Sequence, residues 1–305
     1  MQYINLPNSG DFCRVTNSVD SSSQFFTPKV SRFSDGEISI DFSDFDFSAR
    51  SKIAIVQSLF ASESALVELL LAIDVVNRNT GILPNILLTY FSYARQDREI
   101  SPQAPISAKV IADLISSQKI ATISIVEPHS AQIQGFFNKP CFNISLEDFF
   151  VHHILQLFNA SDIVICAADI GGAKSARKIS EKIGCTSAIV EKVRPQAGVS
   201  FAMSLIGSVS GKICIIVDDI IDTAGTLCNA ADMLMEHGAK SVIACASHGI
   251  FSGQAFERIE KSSMEAVFVS NTIFRGDSSA GTVKIKPINV SKFVLNEFER
   301  RILNF

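Results

Sequence analysis

The sequence is short of glycine, proline and basic charge, and each shortage excludes a class of protein. Gly 16 and Pro 9 in 305 residues fit neither a disordered nor a low-complexity chain. With 27 Lys+Arg against 31 Asp+Glu, the formal net charge is −4, so the chain has no broad basic face for a nucleic-acid backbone. We therefore expect an ordinary globular protein with no nucleic-acid partner.

Long apolar runs and paired cysteines are also missing. The most apolar stretch, residues 65–76, is interrupted by Glu68 and Asp74, whereas a bilayer-spanning helix needs ~18 or more apolar residues. We expect no membrane partner. The 7 cysteines are odd in number and show no Cys-x-x-Cys spacing, which argues against structural zinc and a disulfide framework. No signal peptide is apparent, so the expected location is cytoplasmic.

Short apolar runs rich in β-branched residues recur through the chain and predict buried strands. They lie at 53–56, 86–91, 120–126, 163–168, 187–190, 213–217, 241–246 and 266–269. Stretches with helical spacing lie between most of them, which predicts βαβ units and parallel sheets covered by helices. The series occurs twice, and at ~150 residues per domain the length favours two domains. We therefore predict an α/β fold of two similar domains, 1–145 and 146–305, each a mostly parallel sheet flanked by helices.

Three local patterns lead to further structural expectations. Ser145-Leu-Glu-Asp148 predicts a capping box for a helix over 151–158. The first ~35 residues are rich in Ser, Asn and Phe with weak periodicity, which favours irregular elements wrapped on the first sheet. Residues 290–303 have helical spacing and are expected to dock on one of the domains.

The most informative segment directly follows a predicted strand. Asp218 and Asp219 come first, and Asp222-Thr-Ala-Gly-Thr226 then leads into a predicted helix. Small residues let successive backbone N–H groups converge at a helix start, so this loop suits a phosphate monoester. The carboxylates suit ribose hydroxyls or a hydrated Mg²⁺. A turn in which Asp222 or Thr223 only caps the helix is the alternative, but the acidic pair beside a hydroxyl-rich loop favours a ribose-phosphate site.

The segment 215–226 resembles the phosphoribosyl-binding loop shared by phosphoribosyltransferases and ribose-phosphate diphosphokinases (PRPP synthetases). Five further motifs resemble the second family, in its order and over nearly the whole chain from about Val30. They are Arg32-Phe-Ser-Asp-Gly-Glu37, Tyr90-Phe-Ser-Tyr-Ala-Arg-Gln-Asp-Arg98, His129-Ser-Ala-Gln-Ile-Gln-Gly-Phe-Phe137, Asp169-Ile-Gly-Gly-Ala-Lys174 and His248-Gly-Ile-Phe-Ser-Gly253. The resemblance implies a phosphoribosyltransferase-like fold and transfer of the diphosphoryl group of Mg-ATP to the 1-hydroxyl of ribose 5-phosphate, giving PRPP and AMP for nucleotide biosynthesis.

The same resemblance assigns roles to individual residues. It implies that Lys192 and Arg194, on a loop suited to a mobile lid, are the catalytic pair, and that Mg²⁺ is held by His129 and Asp169. The ATP-binding residues it implies are Phe33, Asp35, Glu37, Arg95, Gln96, Asp97 and His129. The ribose 5-phosphate-binding residues it implies are Asp218, Asp219, Asp222, Thr223, Ala224, Gly225 and Thr226. By this resemblance the first domain carries the ATP-site motifs and the second the ribose 5-phosphate loop.

The segment 33–37 reaches across a subunit interface in the family, which implies a homo-oligomer built from dimers, up to a hexamer, with an ATP site shared between subunits. Two departures stand out. Pro128 occupies a position where the family often has Leu, which predicts a bent strand end and a displaced His129. After Arg98 the stretch lacks the extra basic residues of many phosphate-activated members, which predicts weak binding of phosphate or ADP there.

Two alternatives remain open at this stage. A phosphoribosyltransferase would share the 218–226 loop but would not need the motifs at 94–97 and 129–137. A non-catalytic regulatory homologue would be expected to lose Lys192, Arg194, His129 or the acidic loop, and all are present. The catalytic hypothesis is therefore preferred.

Overall fold

The computed structural model describes residues 1–12, 24–48, 51–60, 63–193, 202–273 and 283–303. Contacts between residues divide the chain into two units. The first unit comprises Met1–Ser145, Asn271–Phe274 and Val290–Phe305, and the second comprises Leu146–Ser270 and Arg275–Asn289. The chain thus passes from one unit to the other after Ser145 and returns to the first at its end.

The helices and strands of the first unit are β1 (Gln2–Asn5), β2 (Gln24–Phe26), β3 (Lys29–Arg32), β4 (Ile38–Asp41), β5 (Ile53–Ser58), α1 (Glu63–Thr80), β6 (Asn85–Tyr90), α2 (Ser107–Ser116), β7 (Thr122–Val126) and β8 (Cys141–Ile144). Its main sheet has 6 strands in the order β2-β1-β5-β6-β7-β8, with every neighbouring pair parallel. A separate antiparallel hairpin is formed by β3 and β4.

Helices cover both faces of this sheet. Side chains alternate along each strand, so neighbouring residues of one strand contact helices on opposite faces. Ile4 of β1 lies in one apolar cluster with residues of α1 and α2, such as Leu69. The neighbouring Tyr3 points to the other face, where its ring lies 6.4 Å from that of Phe298 and its hydroxyl donates to Glu299 Oε1 at 2.5 Å. The helix Ser291–Leu303 therefore docks on the first unit.

The helices and strands of the second unit are α3 (Glu147–Leu157), β9 (Ile163–Ala167), α4 (Ala173–Ile183), β10 (Thr186–Val193), β11 (Ala202–Ile206), β12 (Ile213–Ile221), α5 (Gly225–Glu236), β13 (Ser241–Gly249), α6 (Ala255–Lys261), β14 (Ala266–Ser270) and β15 (Ile285–Ile288), and the chain then returns to the first unit in α7 (Ser291–Leu303). The sheet of this unit has 7 strands in the order β11-β10-β9-β12-β13-β14-β15. Of its strand pairs, β10–β11 is antiparallel and the others are parallel.

The second sheet is also covered on both faces. Cys166 of β9 and Ile216 of β12 lie in one cluster with Leu234 of α5 and residues of α6. Phe268 of β14 points to the opposite face, where its ring lies 5.0 Å from that of His153 in α3. Mostly parallel sheets between layers of helices confirm the predicted α/β class.

Two local expectations were wrong. Residues 2–5 form a strand inside the first sheet, between β2 and β5, rather than an irregular wrapping. The capping box at Ser145 is absent: α3 begins at Glu147 with no side-chain cap, because the Ser145 hydroxyl donates to Glu127 Oε2 at 3.2 Å instead. In the described residues, no helix combines the length and apolar character needed to cross a membrane.

Candidate active site

The acidic pair of the second unit lies within a strand rather than after it. β12 continues to Ile221, and its register with β13 pairs Asp218 with Ala246 and Ile221 with Gly249. Its pairing with β9, in contrast, ends where Ile216 meets Cys166. Asp218 and Asp219 therefore sit on the part of β12 that extends beyond β9, at the carboxyl edge where α/β sheets bind ligands.

The segment from Asp222 to Thr226, called here the phosphate loop, links β12 to α5. Helix α5 begins at Gly225, earlier than the sequence predicted, so the first N–H groups of the helix belong to the loop itself. Those groups have no partner within the helix and carry its positive dipole end, which makes a site for an anion. Ala224 takes a left-handed φ of 60°, a conformation that tends to occur in functional turns.

The capping position of α5 is occupied by Ala224, which has no side-chain hydrogen bond to the helix. The Asp222 carboxylate accepts a hydrogen bond from the Ser252 hydroxyl. The role of the loop in binding ribose 5-phosphate stays a prediction.

Three carboxylates of the second unit, those of Asp218, Asp219 and Asp169, interact with one another. Burial, together with the nearby charges of Asp219 and Asp169, raises the pKa of Asp218 to about 8. The Asp219 N–H donates to Asp218 Oδ1 at 2.9 Å. Asp169 follows the neighbouring strand β9 and accepts the Gly172 N–H at 3.1 Å. Carboxylates that disfavour one another's ionisation suit a cation or hydroxyl donors as a ligand.

The donor set fits a magnesium ion that keeps part of its water shell. In the described part of the chain, no group of three or more His, Cys, Asp or Glu side chains is arranged to hold a metal. Mg²⁺ commonly uses one or two carboxylates together with water and substrate phosphates rather than an all-protein cage. Asp169 and Asp218 offer oxygen ligands of that kind. The pairing of Asp169 with His129 stays a prediction.

In the first unit, three predicted ATP-site residues follow β6, and His129 follows β7. These strands are parallel neighbours, so both segments lie at the carboxyl edge of the same sheet. Arg95 and His129 are exposed there. The third segment of the prediction is the hairpin tip, where Phe33 is 60% exposed and Asp35 Oδ1 accepts the Glu37 N–H at 3.1 Å.

The chain turns sharply before His129. Glu127 takes a positive φ of 38° immediately before Pro128, while its N–H still bonds the Ile144 carbonyl at 2.8 Å. The bend expected from Pro128 is therefore present at Glu127, and it ends strand β7 at Val126.

The predicted catalytic pair lies at the edge of the described structure. The backbone of Lys192 belongs to β10, paired with Met203 of β11. Pairing of β10 with β9 ends at Ile189 and Ala167, so Lys192 is carried about 10 Å past that point, at ~3.3 Å per residue. Arg194 lies outside the described residues.

Sequence reasoning missed two residues that contact the phosphate loop. Ser252 donates to the Asp222 carboxylate, and Arg258 Nη1 donates to the Thr223 carbonyl at 3.0 Å. The only sequence signal was the motif 248–253, to which no role had been given.

The protein is an α/β protein of two units, each with a mostly parallel sheet flanked by helices. In the second unit an acidic strand leads into a helix start suited to an anion. Two family models match the chain: the N-terminal domain of ribose phosphate pyrophosphokinase over residues 15–118 and the phosphoribosyl synthetase-associated domain over 168–305. The chain belongs to the ribose-phosphate pyrophosphokinase family, which confirms the resemblance predicted from the motifs and, at the level of the family, the predicted enzyme class.

Individual relatives support this membership. The chain is 41% identical over 284 residues to the ribose-phosphate pyrophosphokinase of Vibrio cholerae, covering 90% of this chain and 87% of the relative. It is 38% identical over 276 residues to that of Clostridium perfringens, covering 89% and 85%. Among solved structures, phosphoribosylpyrophosphate synthetase from Mycobacterium smegmatis matches with a TM-score of 0.89 and 27% identity, covering 100% of this chain and 99% of that one.

Proposed function

We propose that the protein is a catalytically active ribose-phosphate diphosphokinase that converts Mg-ATP and ribose 5-phosphate to PRPP and AMP. The observation that carries this proposal is the phosphate loop, which begins α5 directly after a strand bearing Asp218 and Asp219, in a chain of this family. The phosphate loop suits the 5-phosphate of ribose 5-phosphate, and the carboxylates beside it suit the ribose hydroxyls.

The reaction needs no protein nucleophile. The 1-hydroxyl oxygen of ribose 5-phosphate attacks the β-phosphorus of ATP, a new O–P bond forms there, and the bond from that phosphorus to the oxygen shared with the α-phosphate breaks. AMP leaves with the bonding electrons, and the hydroxyl proton is released. In such a transfer, the protein contributes mainly positioning and charge stabilisation.

The second unit holds the sugar phosphate in this proposal. Backbone N–H groups of the phosphate loop and the Thr223 and Thr226 hydroxyls bind the 5-phosphate. The carboxylates of Asp218 and Asp219 accept hydrogen bonds from the ribose hydroxyls. The pKa of Asp218 is raised to about 8. Hydroxyl donors or a cation bound beside it would lower this pKa and favour the ionised carboxylate.

Cationic side chains bind the nucleotide phosphates in this proposal. Arg95, exposed at the edge of the first sheet, suits bidentate contacts with ATP oxygens. Lys192 and Arg194 neutralise the charge that develops on the transferred diphosphoryl group. When bound, Mg²⁺ would supply Lewis-acid stabilisation to this transfer; Asp169 would hold it through a carboxylate oxygen, and His129 would lie beside the nucleotide.

The tip of the hairpin formed by β3 and β4 is proposed to take part in the association of subunits. Phe33, Asp35 and Glu37 are exposed at the tip in a single chain, where they are accessible to the ATP of a second subunit. The proposed active form is therefore a homo-oligomer of at least two chains. A cytoplasmic location stays a prediction.

The test is AMP formation from Mg-ATP by the purified protein, with and without ribose 5-phosphate. The expected result is AMP in amounts equal to PRPP, strictly dependent on the sugar phosphate and abolished by a chelator. Binding of Mg-ATP without any AMP formation would favour the regulatory homologue. Consumption of added PRPP in the presence of a nucleobase would favour a phosphoribosyltransferase.

A further inference from the structure

The motif 248–253 joins the end of β13 to α6 and takes no part in the proposed reaction. In the structure, this link lies against the start of the phosphate loop. Ser252, Arg258 and the backbone N–H groups of Ile250 and Phe251 all bond the chain between Ile221 and Thr223. We call these four residues the loop clamp.

The backbone contacts of the clamp are closely spaced. The Ile250 and Phe251 N–H groups both donate to the Ile221 carbonyl, at 2.8 and 3.0 Å. The Ser252 N–H donates to the Asp222 carbonyl at 3.1 Å. Successive donors from one segment thus fix two successive peptide carbonyls of the other.

The side-chain contacts extend the same arrangement by one residue. Arg258 Nη1 donates to the Thr223 carbonyl at 3.0 Å, and the Ser252 hydroxyl donates to the Asp222 carboxylate. A hydrogen bond from a charged guanidinium is stronger than one between neutral groups. The carbonyls of three consecutive residues, 221 to 223, are therefore all held by the clamp.

These contacts determine where the loop's N–H groups point. In a planar trans peptide the C=O and the following N–H point in opposite directions. Because the carbonyls of Ile221, Asp222 and Thr223 are turned toward the clamp, the N–H groups of Asp222, Thr223 and Ala224 are turned away from it. The clamp thus presents backbone donors, rather than carbonyl oxygens, to an anion on the other side of the loop.

The clamp itself has little freedom to change shape. A Cβ on Gly249 would lie 2.3 Å from Phe251 Cε2, so the Phe251 ring occupies the space that any other side chain would need. Phe251 takes a left-handed φ of 47° and is buried, with its ring 5.2 Å from that of Phe256. A fixed turn is suited to holding a second loop in one conformation.

We propose that Ser252 and Arg258 are positioning residues that fix the phosphate loop in the conformation that binds the phosphate of ribose 5-phosphate. This role rests on the proposed function of the phosphate loop. In this role Ser252 and Arg258 act on the phosphate loop and need no contact with the substrate. The role also explains why the motif 248–253 occurs together with the phosphate loop in this chain.

The test compares Arg258→Gln and Ser252→Ala with the unaltered protein in steady-state kinetics. Loss of one charge-assisted hydrogen bond predicts a KM for ribose 5-phosphate raised about tenfold in Arg258→Gln. The KM for ATP and the kcat at saturating ribose 5-phosphate are expected to stay within about twofold. Ser252→Ala, a smaller change, is expected to raise the same KM by about threefold.

Two further variants separate positioning from charge. Lys261→Gln removes a positive charge from the same helix, where Lys261 pairs with Glu257 at 2.6 Å, and is expected to leave all constants unchanged. Arg258→Lys keeps the charge but not the planar fork, and is expected to recover only part of the affinity. Full recovery by Lys, or an equal defect in Lys261→Gln, would overturn the positioning role in favour of long-range charge.

Calorimetric binding of ribose 5-phosphate without ATP keeps this test independent of catalysis. If the unaltered protein binds the sugar phosphate but makes no AMP, the proposed function fails while the clamp is still testable by affinity. If both clamp variants, folded by circular dichroism, bind it as tightly as the unaltered protein, the clamp proposal fails and the proposed function stands.

Discussion

The Gln96 side-chain oxygen accepts a hydrogen bond from the Ser107 hydroxyl at 2.7 Å. The Gln96 carbonyl also accepts the Ala108 N–H at 3.2 Å. Ser107 is the first residue of α2, whose capping position Ile106 has no side-chain hydrogen bond. A residue that the resemblance assigns to ATP therefore also satisfies the start of a helix.

The two roles of Gln96 can be separated by substitution. Gln96→Ala and Ser107→Ala each remove the same side-chain hydrogen bond, so each is expected to lower the free energy of unfolding by about 1 kcal/mol in urea titrations. Only Gln96→Ala is expected to raise the KM for ATP as well. Equal effects on that KM would show that Gln96 acts solely through α2.

The raised pKa of Asp218 predicts how stability depends on pH. The ordinary pKa of this carboxyl is 3.8 and its pKa in the folded protein is about 8, so between these values the folded protein binds more protons than the unfolded one. Stability contributed by this group is therefore present below pH ~4 and is lost as the pH rises toward 8.

This loss is expected to reach at most about 1.4 kcal/mol per pH unit, measured by chemical denaturation in the absence of Mg²⁺ and substrate. Asp218→Asn removes the titrating group and is expected to flatten the profile between about pH 4 and pH 8. A profile with the same slope in the variant would contradict the assignment of the shift to Asp218.

An ion-pair network at the start of α3 is expected to stabilise the second unit. Glu147, whose side chain is only 17% exposed, lies 3.1 Å from Lys178 and 3.3 Å from Lys182. It is also in the first turn of the helix, where a negative charge is favourable. Glu147→Gln is expected to lower the unfolding free energy by about 1 kcal/mol.

The matched control for this prediction is Glu257→Gln. Glu257 forms an exposed pair with Lys261 within α6, and such pairs contribute about 0.5 kcal/mol or less. High salt is expected to reduce the difference between the two variants. An equally small loss at Glu147 would mean that its two lysine contacts contribute no more than one exposed ion pair.

Lys192 gives the most direct prediction about chemistry. Lys192→Ala is expected to lower kcat by orders of magnitude, about 10²-fold or more, because a cation that stabilises the transferred group acts mainly in the transition state. Binding of ribose 5-phosphate, measured by calorimetry, is expected to be unchanged. Lys240→Ala, a change at an exposed lysine before β13, is the control; an unaltered kcat in Lys192→Ala would remove Lys192 from the mechanism.

The central strands could be predicted from sequence because each is a continuous buried apolar run, as in β9 (Ile163–Ala167). Their ends could not. β12 includes Asp218 and Asp219, since backbone pairing with β13 continues regardless of side-chain polarity. β1 was missed because a strand of 4 residues, Gln2–Asn5, is too short to show a period, and its place inside the sheet depends on pairing with distant segments.

The candidate active site was also predicted only in part from the sequence. The phosphate loop could be found because its small residues, hydroxyls and acidic pair are adjacent in sequence. Ser252 and Arg258 could not, because Ser252 is 30 residues from its partner Asp222 and Arg258 is 35 residues from Thr223. Nothing local to an exposed arginine on a helix indicates that it bonds a distant carbonyl.

The return of α7 to the first unit has a consequence for synthesis of the chain. Tyr3 is synthesised before the residues of the second unit, and its partners Phe298 and Glu299 are synthesised after them. The second unit's residues are made between them. All strands of the first sheet are therefore made before the second unit, but the face that carries Tyr3 is covered by α7 only after the second unit has been made.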